Sequence, residues 1–227
     1  MIRDEDLKSS IDYSEGQKEA AHRILVELVN IFKEYEEDIR IVGGWVPDLM
    51  FPGEGHIGSV DVDILAGMYG GTQQKRRSQH VQGIKALKAT GGNFAFDFPA
   101  QKIHVEAKRP DGALDVANVS VVAVVPYLIM KAAAMGRGKA KDAYDIYFLI
   151  KHYKGGINEL AKEFQPAEDK ILVQEMKEKL AGKFASADHA GPKDVADFLE
   201  LSDDEDMAMI KRDAYEQVQA LLNLISN

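Results

Sequence analysis

Two aspartates one residue apart, Asp61 and Asp63, stand in the run Gly58-Ser59-Val60-Asp61-Val62-Asp63-Ile64. In an extended strand residues two apart share a face, so both carboxylates emerge together while Val60, Val62 and Ile64 turn to the core. Carboxylates that close repel by about 3 kcal/mol at an effective dielectric near 20. A divalent cation relieves the repulsion. Hard oxygen donors with no His or Cys beside them suit Mg²⁺, which takes one or two carboxylates and completes its shell with phosphate oxygens and water. Upstream, Ile41-Val42-Gly43-Gly44-Trp45 sets a glycine pair between an apolar strand and a helical turn, where backbone N–H groups can approach a phosphate without interference from a Cβ. Alone, a glycine pair is most often an ordinary turn and Asp-x-Asp a solvated strand face. In this order they predict a phosphate cradle beside metal-binding carboxylates.

The elements that must position these groups are readable from apolar periodicity. Residues 14–37 repeat apolar side chains at helical spacing, with Ser14 as N-cap. A strand follows at 39–42, the glycine break, a short helix at 45–50 closed by Pro52-Gly53, and a second strand at 60–66. A helix is expected over 74–89. The alternation at Phe94, Phe96 and Phe98, then 103–107 and 113–125, reads as successive strands. Beyond Pro126 the pattern is helical throughout: 127–135, 139–153, 157–164, 168–181, 192–199 and 204–225, with Pro126 and Pro192 in first turns and the acidic cluster at 203–206 opening the last helix. The fold class expected is α/β (α+β): a mixed-sheet core over residues 1–125 with its N-terminal helix, then a helical region over 126–227 that completes the site.

The 227 residues are 45% hydrophobic and 29% charged, globular values that leave room for a core without covalent staples. With no Cys, disulfides and thiolate metal sites are excluded. The longest uncharged apolar stretch, 116–130, contains Pro126 and falls short of the ~20 residues a membrane span needs. The charged opening segment 1–10 does not read as a secretory signal, so a cytoplasmic protein is expected. The net charge of −9 is unevenly spread: −6 over residues 1–38, +5 over 39–155 and −8 over 156–227. A basic middle between acidic flanks suits an anionic substrate such as a nucleotide, although solvated helix faces would give the same acidic flanks.

The glycine pair followed by Asp-x-Asp resembles the nucleotidyltransferase superfamily with a DNA polymerase beta-like core. A second segment, Lys131-Ala-Ala-Ala-Met-Gly-Arg137-Gly-Lys139-Ala-Lys141-Asp142-Ala-Tyr144-Asp145-Ile146, is similar to the Lys…Arg-x-Lys-x-x-Asp-x-x-Asp-Leu segment of AbiEii/MenT-type nucleotidyltransferases, toxins of toxin–antitoxin and phage-defence systems. The resemblance covers about residues 41–150. It implies transfer of a nucleoside monophosphate from an NTP to an acceptor hydroxyl, such as a tRNA 3′ end or a protein hydroxyl, with two Mg²⁺ ions as cofactors and a cognate antitoxin as partner. By the same resemblance Asp61 and Asp63 bind metal, and Gly43, Gly44 and Ser59 hold the triphosphate. The third carboxylate would be Glu106, with Asp115 as competitor. Lys131 would contact the phosphates, Asp142 would orient the site, and Arg137 and Lys141 are further phosphate candidates.

Trp45 departs from the Ser or Thr that often follows the glycines in the toxins. Gly43, Gly44, Val46 and Asp48 also resemble CCA-adding enzymes, but Pro47 replaces their Arg and no Arg-Arg-Asp follows. The alternatives are a small-molecule nucleotidyltransferase of the antibiotic-modifying sort and a nucleotide-binding module without turnover. Blander readings stand beside each residue. Lys131 and Arg137 would compensate a helix C-terminus, Asp142 and Asp145 would pair with Lys139 or Lys141 on an exposed face, and Tyr144, Tyr147 and Phe148 would be core. Trp45 would pack the glycine turn, His104 would be structural, and Lys75-Arg76-Arg77 would be a solvated helix start or a guide for RNA.

Overall fold

The computed structural model describes residues 7–67, 80–81, 84–85, 91–167 and 170–226. Helix α1 (Glu15–Ile31) begins where expected, because the Ser14 hydroxyl accepts from Gln17 N–H while the Gln17 side chain returns to Ser14 N–H. Its buried face, Ala21, Leu25, Val26 and Val29, packs on the sheet. Strand β1 (Ile39–Val42) leads into α2 (Trp45–Met50), followed by β2 (Asp63–Ala66). A two-stranded pair, β3 (His80–Val81) with β4 (Ile84–Lys85), precedes β5 (Gln101–Lys108) and β6 (Leu114–Val121). Then come α3 (Val124–Ala134), α4 (Ala140–His152), α5 (Ile157–Lys162), α6 (Ile171–Lys183), α7 (Ala190–Leu199) and α8 (Asp204–Leu224).

The chain is therefore a mixed α/β protein. Its main sheet has the order β2-β1-β6-β5, with β1 parallel to β6 and the other pairs antiparallel. The register aligns Val42 with Asp63, and Ile41 with Val121. Both halves of the chain feed one hydrophobic cluster, from Leu25 and Val26 through Val119 and Val121 to Leu149, Phe198 and Leu221. Helix α4 is the axis of the helical half: residues 141–150 are all buried, against α3, α7 and α8. A helix covered on every side cannot leave its charged residues to water, and Lys141, Asp142 and Asp145 must find partners inside.

Three expectations change. The second strand starts at Asp63 rather than Val60, because β1 offers only four residues to pair with and Gly43 turns the chain away at φ +74°. The run Phe94, Phe96, Phe98 is no strand. Residues Asn93–Phe96 form a 3₁₀ turn after Gly91 (φ +80°), which stacks Phe94 edge-on to Phe98 at 5.1 Å. The last strand ends at Val121, and Val124 already begins α3, with Pro126 in its first turn where a missing N–H costs nothing. The helix expected over 74–89, with Lys75, Arg76 and Arg77, lies outside the described residues except for 80–81 and 84–85, which pair as strands. Among the described residues no helix is long and apolar enough to cross a membrane.

Candidate active site

The glycine turn is the meeting point. Gly43 has a left-handed backbone, and a Cβ there would overlap Asp63 Oδ2, so only glycine lets the Asp63 carboxylate lie against the turn. A Cβ on Gly44 would stand 2.8 Å from Lys141 Nζ and 3.0 Å from Ser59 Oγ. Three separate stretches thus converge: the turn after β1, the loop 51–62 with the start of β2 that it leads into, and the first turn of α4.

Asp61 and Asp63 are both exposed, and Asp61 is held from two sides. The buried Ser59 hydroxyl donates to its Oδ1 at 2.7 Å, and the indole Nε1–H of Trp45 donates to its carbonyl oxygen at 2.8 Å. Trp45, the single Trp, is 3% exposed and packs the turn as expected, yet it also fixes the backbone that carries Asp61. Ser59 orients the carboxylate, a second use for a hydroxyl expected on the triphosphate.

Behind the turn is a buried network of charge. Lys131 Nζ donates to Asp142 Oδ1 at 2.8 Å and to Asp145 Oδ2 at 2.7 Å. Lys141 Nζ donates to both Asp145 oxygens, at 2.9 and 3.2 Å, and His56 Nε2 lies 3.0 Å from Asp145 Oδ1. Two ammonium groups face two carboxylates, so the cluster is balanced when His56 is neutral. Burial alone would raise the Asp145 carboxyl, but Lys131 and Lys141, with the His56 hydrogen bond, hold it well below the usual range. Burial would lower Lys131, and Asp145, Tyr127 and Asp142 outweigh it and keep the ammonium protonated. His56 goes the other way: burial pushes it down to about 4 against the pull of Asp145. Its Nδ1 accepts Gly58 N–H at 3.0 Å, so the neutral ring carries its proton on Nε2 and donates it to Asp145.

The sheet does not bring Glu106 to this point. Glu106 pairs with Val116, five residues along β5 from Gln101, whose partner Val121 is level with Ile41. At ~3.3 Å per residue that is roughly 17 Å along the strand, and β6 intervenes. Glu106 is exposed beside His104 (3.6 Å), and Asp115, opposite Ala107, is equally remote beside Arg109 (3.5 Å). The expectation of Glu106 as metal ligand is corrected accordingly, and among the described residues no group of three or more His, Asp or Glu is placed to hold a metal ion.

The lysines exchange places relative to expectation. Lys131 is buried between Asp142 and Asp145, behind the site, and Lys141 is the ammonium at the glycine turn. Asp142 gives one oxygen to Lys131, while its Oδ2 is buried without a hydrogen-bond partner. Asp142 and Asp145 are not on an exposed face, because the apolar residues around them on α4 are buried on all sides. Arg137 is exposed in the turn after α3, where its Nε donates to Ala134 O at 3.4 Å. Tyr144, Tyr147 and Phe148 are core. Sequence reasoning missed His56 altogether. The signal for Asp145 was present in the unbroken apolar run around it, but nothing in sequence spacing links His56 to a residue 89 positions away.

Compared with protein-family models, with curated proteins and with solved structures, the chain matches none.

Proposed function

We propose that this protein is a Mg²⁺-dependent nucleotidyltransferase that moves a nucleoside monophosphate from an NTP to an acceptor hydroxyl and releases pyrophosphate. One observation carries the reading: the Gly43–Gly44 turn lies directly against Asp63, Ser59 and Lys141. A triphosphate cradle, a carboxylate and a fixed ammonium at one point are the parts that phosphoryl transfer needs, since its catalysis is largely positioning and charge stabilisation.

Asp61 and Asp63 fit the metal, as exposed hard oxygen donors beside a turn with no Cβ to crowd a phosphate. Bound there, Mg²⁺ would neutralise the triphosphate and polarise the phosphorus under attack. The chain's own groups do the rest. The Gly43 and Gly44 N–H groups orient phosphate oxygens, and Lys141 faces the charge that develops on the leaving pyrophosphate. Ser59 and Trp45 keep Asp61 in place. Lys131 and Asp142 neutralise the base of the network so that Asp145 can hold Lys141.

The acceptor we favour is the 3′ end of a tRNA, in a toxin-like protein of a toxin–antitoxin or phage-defence system, on the resemblance of the segment from Lys131 to Ile146. A second reading rests on a cleft of about 210 Å³ beside Trp45, lined by Glu15, Lys18, Glu19, His22 and Asp48, where three carboxylates against one ammonium suit a small cationic acceptor. The test is incubation of wild type and Asp61→Asn/Asp63→Asn with each labelled NTP, Mg²⁺ and either total tRNA or a panel of polyhydroxylated amines. Label on tRNA, absent with the variant, supports the first reading, and label on an amine the second. Mg²⁺-dependent NTP binding with no product from any acceptor would leave a binding module and overturn the transferase.

A further inference from the structure

We infer that His56 is a positioning residue that joins the two halves of the site: through Nε2–H it fixes Asp145 and hence Lys141, and through Nδ1 it fixes the loop that delivers Ser59 and Asp61. The inference rests on the transferase reading for its consequences, and on geometry for its substance.

The His56 side chain is fully buried. Its ring stacks on Tyr144 at 5.3 Å and meets Phe148 edge-on at 4.7 Å, so α4 determines its orientation. Both ring nitrogens are engaged, one with Asp145 on α4 and the other with Gly58 on its own loop. Gly58 has φ +72°, and a Cβ there would press on the Trp45 ring at 3.3 Å, so the Gly58 bond also sets how the loop passes Trp45. One residue later Ser59 reaches Asp61, and Trp45 takes the Asp61 carbonyl.

On the other arm, Asp145 Oδ1 receives both His56 and Lys141, at 3.0 and 2.9 Å. Without the imidazole N–H that oxygen would be left to Lys141, and the lysine would be drawn toward the carboxylate and away from Gly44. A histidine kept only for packing would need no carboxylate partner on a helix 89 residues away. This one ties the phosphate-facing lysine to the carboxylate loop with a single rigid ring.

Two conservative variants separate the arms. An Asn amide oxygen stands near the Nδ1 position and a Gln amide nitrogen near the Nε2 position. His56→Asn therefore keeps the acceptor for Gly58 and loses the donor to Asp145, and His56→Gln does the reverse. With labelled NTP and the acceptor that the labelling experiment finds, His56→Asn, which loosens Lys141, should lower kcat about tenfold with KM for NTP changed less than threefold. His56→Gln, which loosens the loop that carries Asp61, should raise KM for Mg²⁺–NTP about tenfold and change kcat less than threefold. Urea unfolding of both variants gives the folded fraction. Equal losses that track that fraction, with no difference in the KM and kcat pattern, would overturn the positioning role. Should wild type transfer to no acceptor and bind no Mg²⁺–NTP, the transferase reading falls, and the role is judged from the Lys141 ammonium resonance by ¹⁵N NMR. That resonance should move in His56→Asn and hold in His56→Gln, and an identical response in the two variants would refute the link.

Discussion

The indole Nε1–H of Trp45 donates to the carbonyl oxygen of Asp61 across 16 residues, at 2.8 Å. A residue on the helix that follows the glycine turn thereby sets the backbone that carries the Asp61 carboxylate, two residues ahead of the next strand. Trp45→Phe keeps most of the ring's packing and removes the donor. It should cost about 1 kcal/mol of stability by urea titration, and a larger share of Mg²⁺-dependent NTP affinity by calorimetry. Unchanged affinity would mean that the bond only stabilises the fold.

Gly43→Ala should be more severe than Gly44→Ala in the backbone term, because only Gly43 is left-handed. The strain is about 1–2 kcal/mol, and the new methyl displaces the Asp63 carboxylate. Transfer should fall by more than tenfold in both variants, with Gly43→Ala showing the lower urea midpoint. Retained activity in Gly43→Ala would remove the turn from the site.

Lys131 and Lys141 should separate stability from function. Lys131→Met strands Asp142 and burdens Asp145, and breaking a buried ion pair from one side costs about 3–5 kcal/mol. Lys141→Met leaves Asp145 with Lys131 and His56, so unfolding should shift less while transfer drops on the order of 10²-fold or more, as for loss of one preorganised charge-stabilising group. The comparison is chemical denaturation against initial rates. The opposite ranking would restore Lys131 as the phosphate contact.

Acid should destabilise the fold before the carboxylates titrate. His56 is held at about 4 in the folded chain against 6.5 for the free ring, so its contribution is complete above pH 6.5 and is lost as pH falls through about 4. The shift corresponds to about 3 kcal/mol. The groups facing the ring are Asp145, Lys141 and Lys131, and Asp145, also depressed, adds its own loss below the usual carboxylate range. Urea midpoints at pH 7.5, 6, 5 and 4 should decline through this window in wild type and decline less in His56→Gln.

Asp203 caps α8 by accepting Glu205 and Asp206 N–H at 2.9 and 3.1 Å. Asp203→Ala should lower stability by about 1 kcal/mol and leave transfer per folded molecule unchanged, a control for the site variants.

Much of the architecture was legible in the sequence, where the signal is local. Strand β1 and helix α2 have the bounds that the apolar run and the glycine break predict, Ser14 caps α1, and the acidic cluster opens α8. The Phe94 to Phe98 alternation misled, because a period of two in aromatic residues fits a 3₁₀ turn packed edge to face as well as a strand. In the candidate site, the left-handed glycine turn follows β1 where the sequence predicts it, and of the two aspartates only Asp63 lies in the strand, with Asp61 in the loop before it.

What only the tertiary structure decided is which distant groups meet them. The register of β5 on β6 carries Glu106 away from the turn. The burial of α4 on every side converts Asp142 and Asp145 from surface charges into the floor of the site. A ring on a loop, His56, then closes the link to Asp145 across 89 residues. Local sequence specifies backbone conformation through steric and hydrogen-bonding preferences within a few residues. Sheet register and the exclusion of water from a buried helix depend on the whole packed core, and those two together placed Lys141 at the glycine turn.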